Sequence, residues 1–266
     1  MDLHKERYTF EDFKEIIKIL RSENGCPWDK EQTHSSLRKN LIEESYEFIH
    51  EVDTNSKEGM CEELGDVLLQ VVMHAEIASE TGEFTMEDVI DGIAKKMLFR
   101  HPHVFGDKKA NNVEEALDSF KAQKSKEKKY KNVGDSLEKI PGDLPSLIKA
   151  YKLASQLRKM QPEVFKDDVN EWFDKLYANL HDLENMQVFA TEAELEDKMG
   201  EIFGIIVMIG NIIGVDSEVA ANKEFESTKK RIAMIEENML KDGEKISELS
   251  PEIFDEYWKN TKNVEK

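Results

Sequence analysis

Apolar residues recur at helical spacing along most of this chain, and no stretch alternates apolar and polar positions as a half-buried strand would. Phe13, Ile16, Ile17 and Leu20 make the first stripe, and Thr9 with Asp12 three residues on is a start signal, so a helix is expected over 9–21. Asn24-Gly25 and Pro27 end it. Leu37, Leu41, Glu44 and Phe48 step by four, three and four, the core-facing period of an amphipathic helix over 33–50. The next helix, over 57–79, carries Val67-Leu68-Leu69-Gln70-Val71-Val72-Met73, apolar almost all round and therefore expected to be buried. The short polar turn Asp53-Thr54-Asn55-Ser56 joins these two into an antiparallel hairpin. Thr81-Gly82 turns the chain again, and Thr85 with Asp88 opens a helix over 85–98. Pro102 and Gly106 mark loop. A further helix over 113–129 ends in a basic run, Lys121, Lys124, Lys126, Lys128 and Lys129. Gly134, Pro141, Gly142 and Pro145 make 131–145 the best linker.

The second half repeats the first. Displaced by 135 positions, Leu41 falls on Leu176, Gly65 on Gly200, Val72 on Val207 and Met73 on Met208. Further on the displacement becomes 131, where Lys96 meets Ser227 and Arg100 meets Arg231. The expectation is an all-α protein of two tandem helical domains, 1–130 and 146–266.

The acidic residues differ between the copies. In the first hairpin Glu44/Glu47 and Glu63/Asp66 are pairs three apart, so each pair shares one helix face. One such pair means little in a chain of 56 acidic residues. Two pairs beside apolar stripes on facing helices are another matter. Acids aimed at a core cost free energy, and four together repel each other and hold protons. A divalent cation resolves both problems, and an all-oxygen set favours Mg²⁺ over zinc. In the second copy the same positions read Asn179, Asp182, Lys198 and Glu201, so that copy is expected to keep the fold and lose the cation.

The net charge of −19 argues against nucleic acid or an anionic membrane as the main partner. It also means that a polyanionic ligand needs local cations. Cys26 and Cys61, without a CxxC or a histidine cluster, read as reduced thiols of a cytoplasmic protein. MDLHKERYTF has no apolar signal core, and the longest apolar run, 202–213, is interrupted by Gly204 and Gly210.

Glu43-Glu44-x-x-Glu47 followed by Glu62-Glu63-Leu64-Gly65-Asp66 resembles the signature of the MazG nucleoside triphosphate pyrophosphohydrolases. Gly25-Cys26-Pro27-Trp28-Asp29, Gln32-Thr33-His34-x-Ser36-Leu37 and Arg100-His101-Pro102-His103-Val104-Phe105 are similar to further strings of that family. The resemblance extends over most of the chain, and it implies much about function. The family cleaves nucleoside triphosphates between the α and β phosphates, giving a monophosphate and pyrophosphate, in a nucleotide-pool house-cleaning role. By resemblance, Glu44, Glu47, Glu63 and Asp66 ligate Mg²⁺, with Mn²⁺ as a substitute. Glu43 and Glu62 are outer bases or alternative ligands. Lys96 and Arg100, four apart on one face, meet phosphates.

Phe120 and Lys124 stand where the family usually has Trp and Lys, which keeps a stacking face but loses the indole donor. Gly59 stands where the family tends to place a Lys, leaving Lys57 as the nearest cation. Trp28 is either a wall for the base or a packing anchor beside Pro27, and His101 and His103 read as a structural turn. In the second copy Trp258 and Lys262 still match the family's Trp and Lys. The resemblance also implies a homodimer whose subunits complete a helical bundle. A non-catalytic nucleotide sensor is the rival reading. A di-iron carboxylate bundle is disfavoured, because neither Glu44 nor Glu63 is followed by His at the third position.

Overall fold

The computed structural model describes residues 5–128, 132–242 and 250–261; Lys129 and Lys262 lie outside them. The protein is all-α, and among the described residues there is no strand. The chain divides into two compact units, Met1–Lys129 and Tyr130–Lys266.

The first unit begins with α1 (Phe10–Arg21), whose N-terminus is the expected one: Thr9 accepts from Asp12 N and Asp12 accepts from Thr9 N, a full capping box. At its far end Gly25 lies against the helix, where a Cβ would meet the Leu20 carbonyl oxygen at 2.2 Å. Then come α2 (Pro27–Glu31), α3 (Arg38–Asp53), α4 (Lys57–Thr81), α5 (Met86–Arg100), α6 (Pro102–Phe105) and α7 (Val113–Lys128). Helix α3 starts about a turn later than the periodicity predicts. Thr33 and Ser36 exchange side-chain and backbone hydrogen bonds (2.9 and 3.1 Å) and hold the chain in a turn up to Leu37, which is buried. The Pro102–Gly106 stretch, expected as loop, winds into one helical turn because Pro102 suits the first helical position.

The hairpin of α3 and α4 is closed at Asn55, in the left-handed region at φ 57°, and by Ser56, which accepts from Gly59 N. Helix α4 packs on α1, α3 and α5, and α5 packs on α7. The core is Ile17, Leu37, Val72, Met73 and Ile77, with Phe10, Phe13, Leu20, Leu69 and Met86 around it. The expectation of a buried 67–73 run holds for Gln70, Val72 and Met73 only. Leu64 and Leu68 are exposed, 52% and 38%, because the helices of this unit cover only one side of α4.

The second unit holds α8 (Val133–Glu138), α9 (Ser146–Met160), α10 (Val169–Met186), α11 (Glu192–Ile213), α12 (Ser217–Asp242) and α13 (Pro251–Thr261). Helix α8 falls in the stretch expected as linker; Asn132 caps it, and Ser136 is buried there as α8 packs on α9. Helix α11 packs on α9, α10 and α12, and α12 on α13. These pairings match those of α4 with α1, α3 and α5, and of α5 with α7, so the sequence repeat is also a repeat of architecture. No single helix among the described residues is long and apolar enough to cross a membrane.

Candidate active site

The hairpin of α3 and α4 brings Glu44, Glu63 and Asp66 together: each offers a carboxylate oxygen, and these lie within 4.8 Å of one another. All three are half-buried. One oxygen of Glu63, Oε2, is buried without any hydrogen-bond partner. Burial pushes the Glu44 carboxyl above the ordinary glutamate range, and the charges of Asp66, Glu47 and Glu43 push it further. Burial does the same to Glu63, followed by Glu47, Asp66, Glu62 and Glu44. Crowded acids with an orphaned oxygen are a donor set lacking its counter-charge. The set fits a hard divalent cation, whose oxygen ligands stand about 3–4 Å apart when each is about 2.1 Å from the ion.

The fourth expected ligand departs from this picture. Glu47 is exposed and stands outside the three-residue cluster, although its charge reaches both Glu44 and Glu63. Glu43 is exposed and lies 3.9 Å from Lys39; Glu62 is exposed and acts on Glu63 through its charge alone.

The basic residues gather on α5 and α7. Arg100 is 12% exposed in its side chain and is gripped by Glu127, with Nε and Nη2 each 2.8 Å from Oε2. Its guanidinium lies over Phe120, 5.5 Å from the ring centroid, and the His101 ring flanks the same phenyl group at 5.3 Å. His101 in turn bonds the Met97 carbonyl through Nδ1 at 2.7 Å. Lys96 and Lys124 are exposed on the same two helices. Trp28 is 59% exposed, so within the described residues it is not buried as a packing anchor. At Gly59 the carboxylate of Glu51 occupies the space where a side chain would begin, so the first turn of α4 sends no cation from that position.

Residues 32–105 match the model of the MazG nucleotide pyrophosphohydrolase domain. The chain is 38% identical over 255 residues to the nucleoside triphosphate pyrophosphohydrolase/pyrophosphatase MazG of Thermotoga maritima, covering 95% of each. This protein belongs to the MazG family. It is also 32% identical over 253 residues to the nucleoside triphosphate pyrophosphohydrolase of Escherichia coli K12, covering 94% of this chain and 95% of that one. A third relative, the uncharacterised YabN of Bacillus subtilis 168, is 36% identical over 261 residues, 97% of this chain and 53% of its own.

Sequence reasoning missed Glu127 as the partner of Arg100. The available signal was an acid standing alone in the basic run from Lys121 to Lys128. It also missed the contact of His34 with His74. Their rings stack at 5.0 Å with the two Nδ1 atoms 2.7 Å apart, so one nitrogen donates to the other. Burial and then the charge of His34 hold His74 below the ordinary histidine range. The pair joins the Thr33–Leu37 turn to α4 in this MazG domain, and no spacing in the sequence announces it.

Proposed function

We propose that this MazG protein hydrolyses nucleoside triphosphates between the α and β phosphates, releasing a nucleoside monophosphate and pyrophosphate, with Mg²⁺ as its cation. The cluster of Glu44, Glu63 and Asp66, with its raised carboxyls and orphaned oxygen, carries this reading. The activity for which the Thermotoga and Escherichia relatives are named supports the reaction. Glu44, Glu63 and Asp66 would hold the ion, and a rotamer change would bring Glu47 in as the fourth ligand. When bound, Mg²⁺ supplies charge neutralisation and polarisation of phosphate oxygens there.

The chain's own residues do the rest. Lys96, Arg100 and Lys124 bind phosphate oxygens. Arg100 is held in one orientation by Glu127 and Phe120, so less freedom is lost on binding. Phe120 and the exposed face of Trp28 offer stacking surfaces for the base. Glu43 and Glu62, standing outside the cluster, are the outer bases or alternative ligands: either one can take the single proton that the attacking water gives up. The second unit contributes fold and association, not chemistry. The exposed apolar faces of the hairpins fit a homodimer, and the setting is a cytoplasmic house-cleaning role on the nucleotide pool.

The experiment is a panel of triphosphates labelled at the α phosphate, incubated with Mg²⁺. Label is expected in the monophosphate, with pyrophosphate as the other product and no diphosphate intermediate. Diphosphate with orthophosphate would make it a γ-phosphatase, and no turnover on any member would leave a nucleotide sensor. Glu44→Gln and Asp66→Asn are each expected to lower turnover more than about 100-fold, since even the outer partners of metal ligands are worth about 10–100-fold. Full activity in either at saturating Mg²⁺ would sink the assignment.

A further inference from the structure

In the second unit the counterparts of the four acids also converge, and what they converge on is an ammonium group. Lys198 Nζ lies 2.8 Å from Glu201 Oε2, 3.1 Å from Asn179 Oδ1 and 3.6 Å from Asp182 Oδ2. Asn179, Asp182 and Glu201 occupy the places of Glu44, Glu47 and Asp66; Lys198 occupies that of Glu63. Its side chain is only 18% exposed. Asn179 is oriented for the contact, because its amide nitrogen donates to the Lys175 carbonyl at 2.8 Å and its oxygen turns toward the ammonium.

The arginine of this unit is satisfied from within as well. Arg231, at the place of Arg100, is 4% exposed. Its guanidinium lies 3.5 Å from the Trp258 ring centroid, Nη2 donates to the Trp258 carbonyl at 2.7 Å, and Nε donates to Thr261 Oγ1 at 3.3 Å. The first unit differs in both respects: an oxygen of Glu63 has no partner, and Arg100 lies farther from its ring, 5.5 Å from the Phe120 centroid, with Nε and Nη2 held by the carboxylate of Glu127 instead of a carbonyl and a hydroxyl.

We propose that the Lys198 ammonium is a built-in substitute for the divalent cation, so that the second unit holds its acidic hairpin closed without metal and binds neither Mg²⁺ nor a triphosphate. One monovalent charge suffices because the set carries two carboxylates and an amide instead of four carboxylates. A lysine costs this site nothing in metal recruitment and makes the α10–α11 hairpin independent of ion supply. The Arg231–Trp258 stack closes the other half of the site, burying the guanidinium that a phosphate would have to reach. The placement rests on the internal repeat and the contacts just given; the hydrolase reading enters only in naming the triphosphate.

Mn²⁺ binding to the full chain, followed by the loss of the free-ion resonance, tests it. In the E44Q/E63Q/D66N background three of the first unit's four ligands are neutral and Glu47 stands alone, so no stoichiometric Mn²⁺ binding is expected. Adding K198E to that background restores a carboxylate at the missing place, and about one Mn²⁺ per chain is expected to return. K198M, in EDTA, is expected to lower the melting temperature by a few degrees, since it leaves Asp182 and Glu201 facing each other without a counter-charge. Stoichiometric Mn²⁺ in the triple variant would overturn the proposal, because the ion would then displace Lys198. So would an unchanged or higher melting temperature in K198M, whether or not the K198E chain folds. Turnover is not among these readouts, so failure of the hydrolase reading and failure of this one are told apart.

Discussion

At the scale of single residues, Glu44 and Glu63 set a pH dependence whose sign follows from their shifts. Both carboxyls hold protons more tightly folded than unfolded, where a glutamate titrates near 4.5. As pH rises from that value through the raised folded values, the folded chain must ionise crowded acids. The metal-free protein therefore loses stability across that window. Cation binding expels the same protons, so cation affinity rises with pH there, by about tenfold per unit for each proton displaced. Mn²⁺ titrations at several pH values should show that slope, and Glu44→Gln should reduce it by about one proton. An affinity flat with pH through this range would mean that the two carboxyls are already ionised without the metal.

Glu44, Glu63 and Asp66 were legible in the sequence because two three-residue spacings beside apolar stripes place carboxylates on facing helix surfaces. The exclusion of Glu47 from the cluster was not legible, since spacing fixes a face but not a rotamer.

At the scale of elements, capping chemistry was the most readable part. Thr9 with Asp12 and Thr85 with Asp88 both form the reciprocal bonds that their spacing predicts. What holds one element to the next was far less readable. Arg21 looks like an ordinary basic residue at a helix end. Its side chain is 4% exposed, and Nε and Nη2 reach the two oxygens of Glu80 on α4 at 2.7 and 2.8 Å. Its Nη1 donates to the carbonyls of Asp29, within the short helix α2, and Gln32, the residue that caps its C-terminus. One guanidinium thus ties α1, α2 and α4 together and fixes the segment that carries Trp28. The second unit keeps the device, with Arg158 on Asp167 and on the Asn211 carbonyl. Arg21→Ala strands a carboxylate and two carbonyls, and is expected to cost about 3 kcal/mol. Urea unfolding followed by circular dichroism measures this, and a loss below about 1 kcal/mol would mean that water replaces the clamp without penalty.

At the scale of the whole molecule, the repeat was legible because apolar patterning survives divergence when folding alone is selected. The face that each repeat leaves uncovered was legible only through the family resemblance, which implies a dimer; the apolar run 67–73 by itself reads as buried. The first unit exposes Ile42 at 57%, Leu64 at 52% and Leu68 at 38%, all on the α3–α4 hairpin. The second exposes the corresponding residues Tyr177 at 64%, Met199 at 39% and Phe203 at 50% on α10 and α11. Large apolar side chains clustered at equivalent places in two diverged copies are not scattered surface residues. Fully burying one is worth about 1.5–3 kcal/mol, so a few on each subunit supply much of what a micromolar dimer needs, about 8 kcal/mol, after the cost of association.

The chain also carries a net charge of −19, which opposes self-association at long range and makes short-range apolar contact the term that must win. Dimerisation is therefore expected to strengthen with salt, the opposite of a contact built on ion pairs. Leu68→Glu with Ile42→Glu places like charges at the centre of the face, and light scattering on a sizing column should then report 30.8 kDa in place of twice that mass. Helical content should be unchanged, because both positions are already exposed within the chain. A parent protein that runs as a monomer at high salt, or a double variant with the parent's mass, would show that these faces are covered by something other than a second copy.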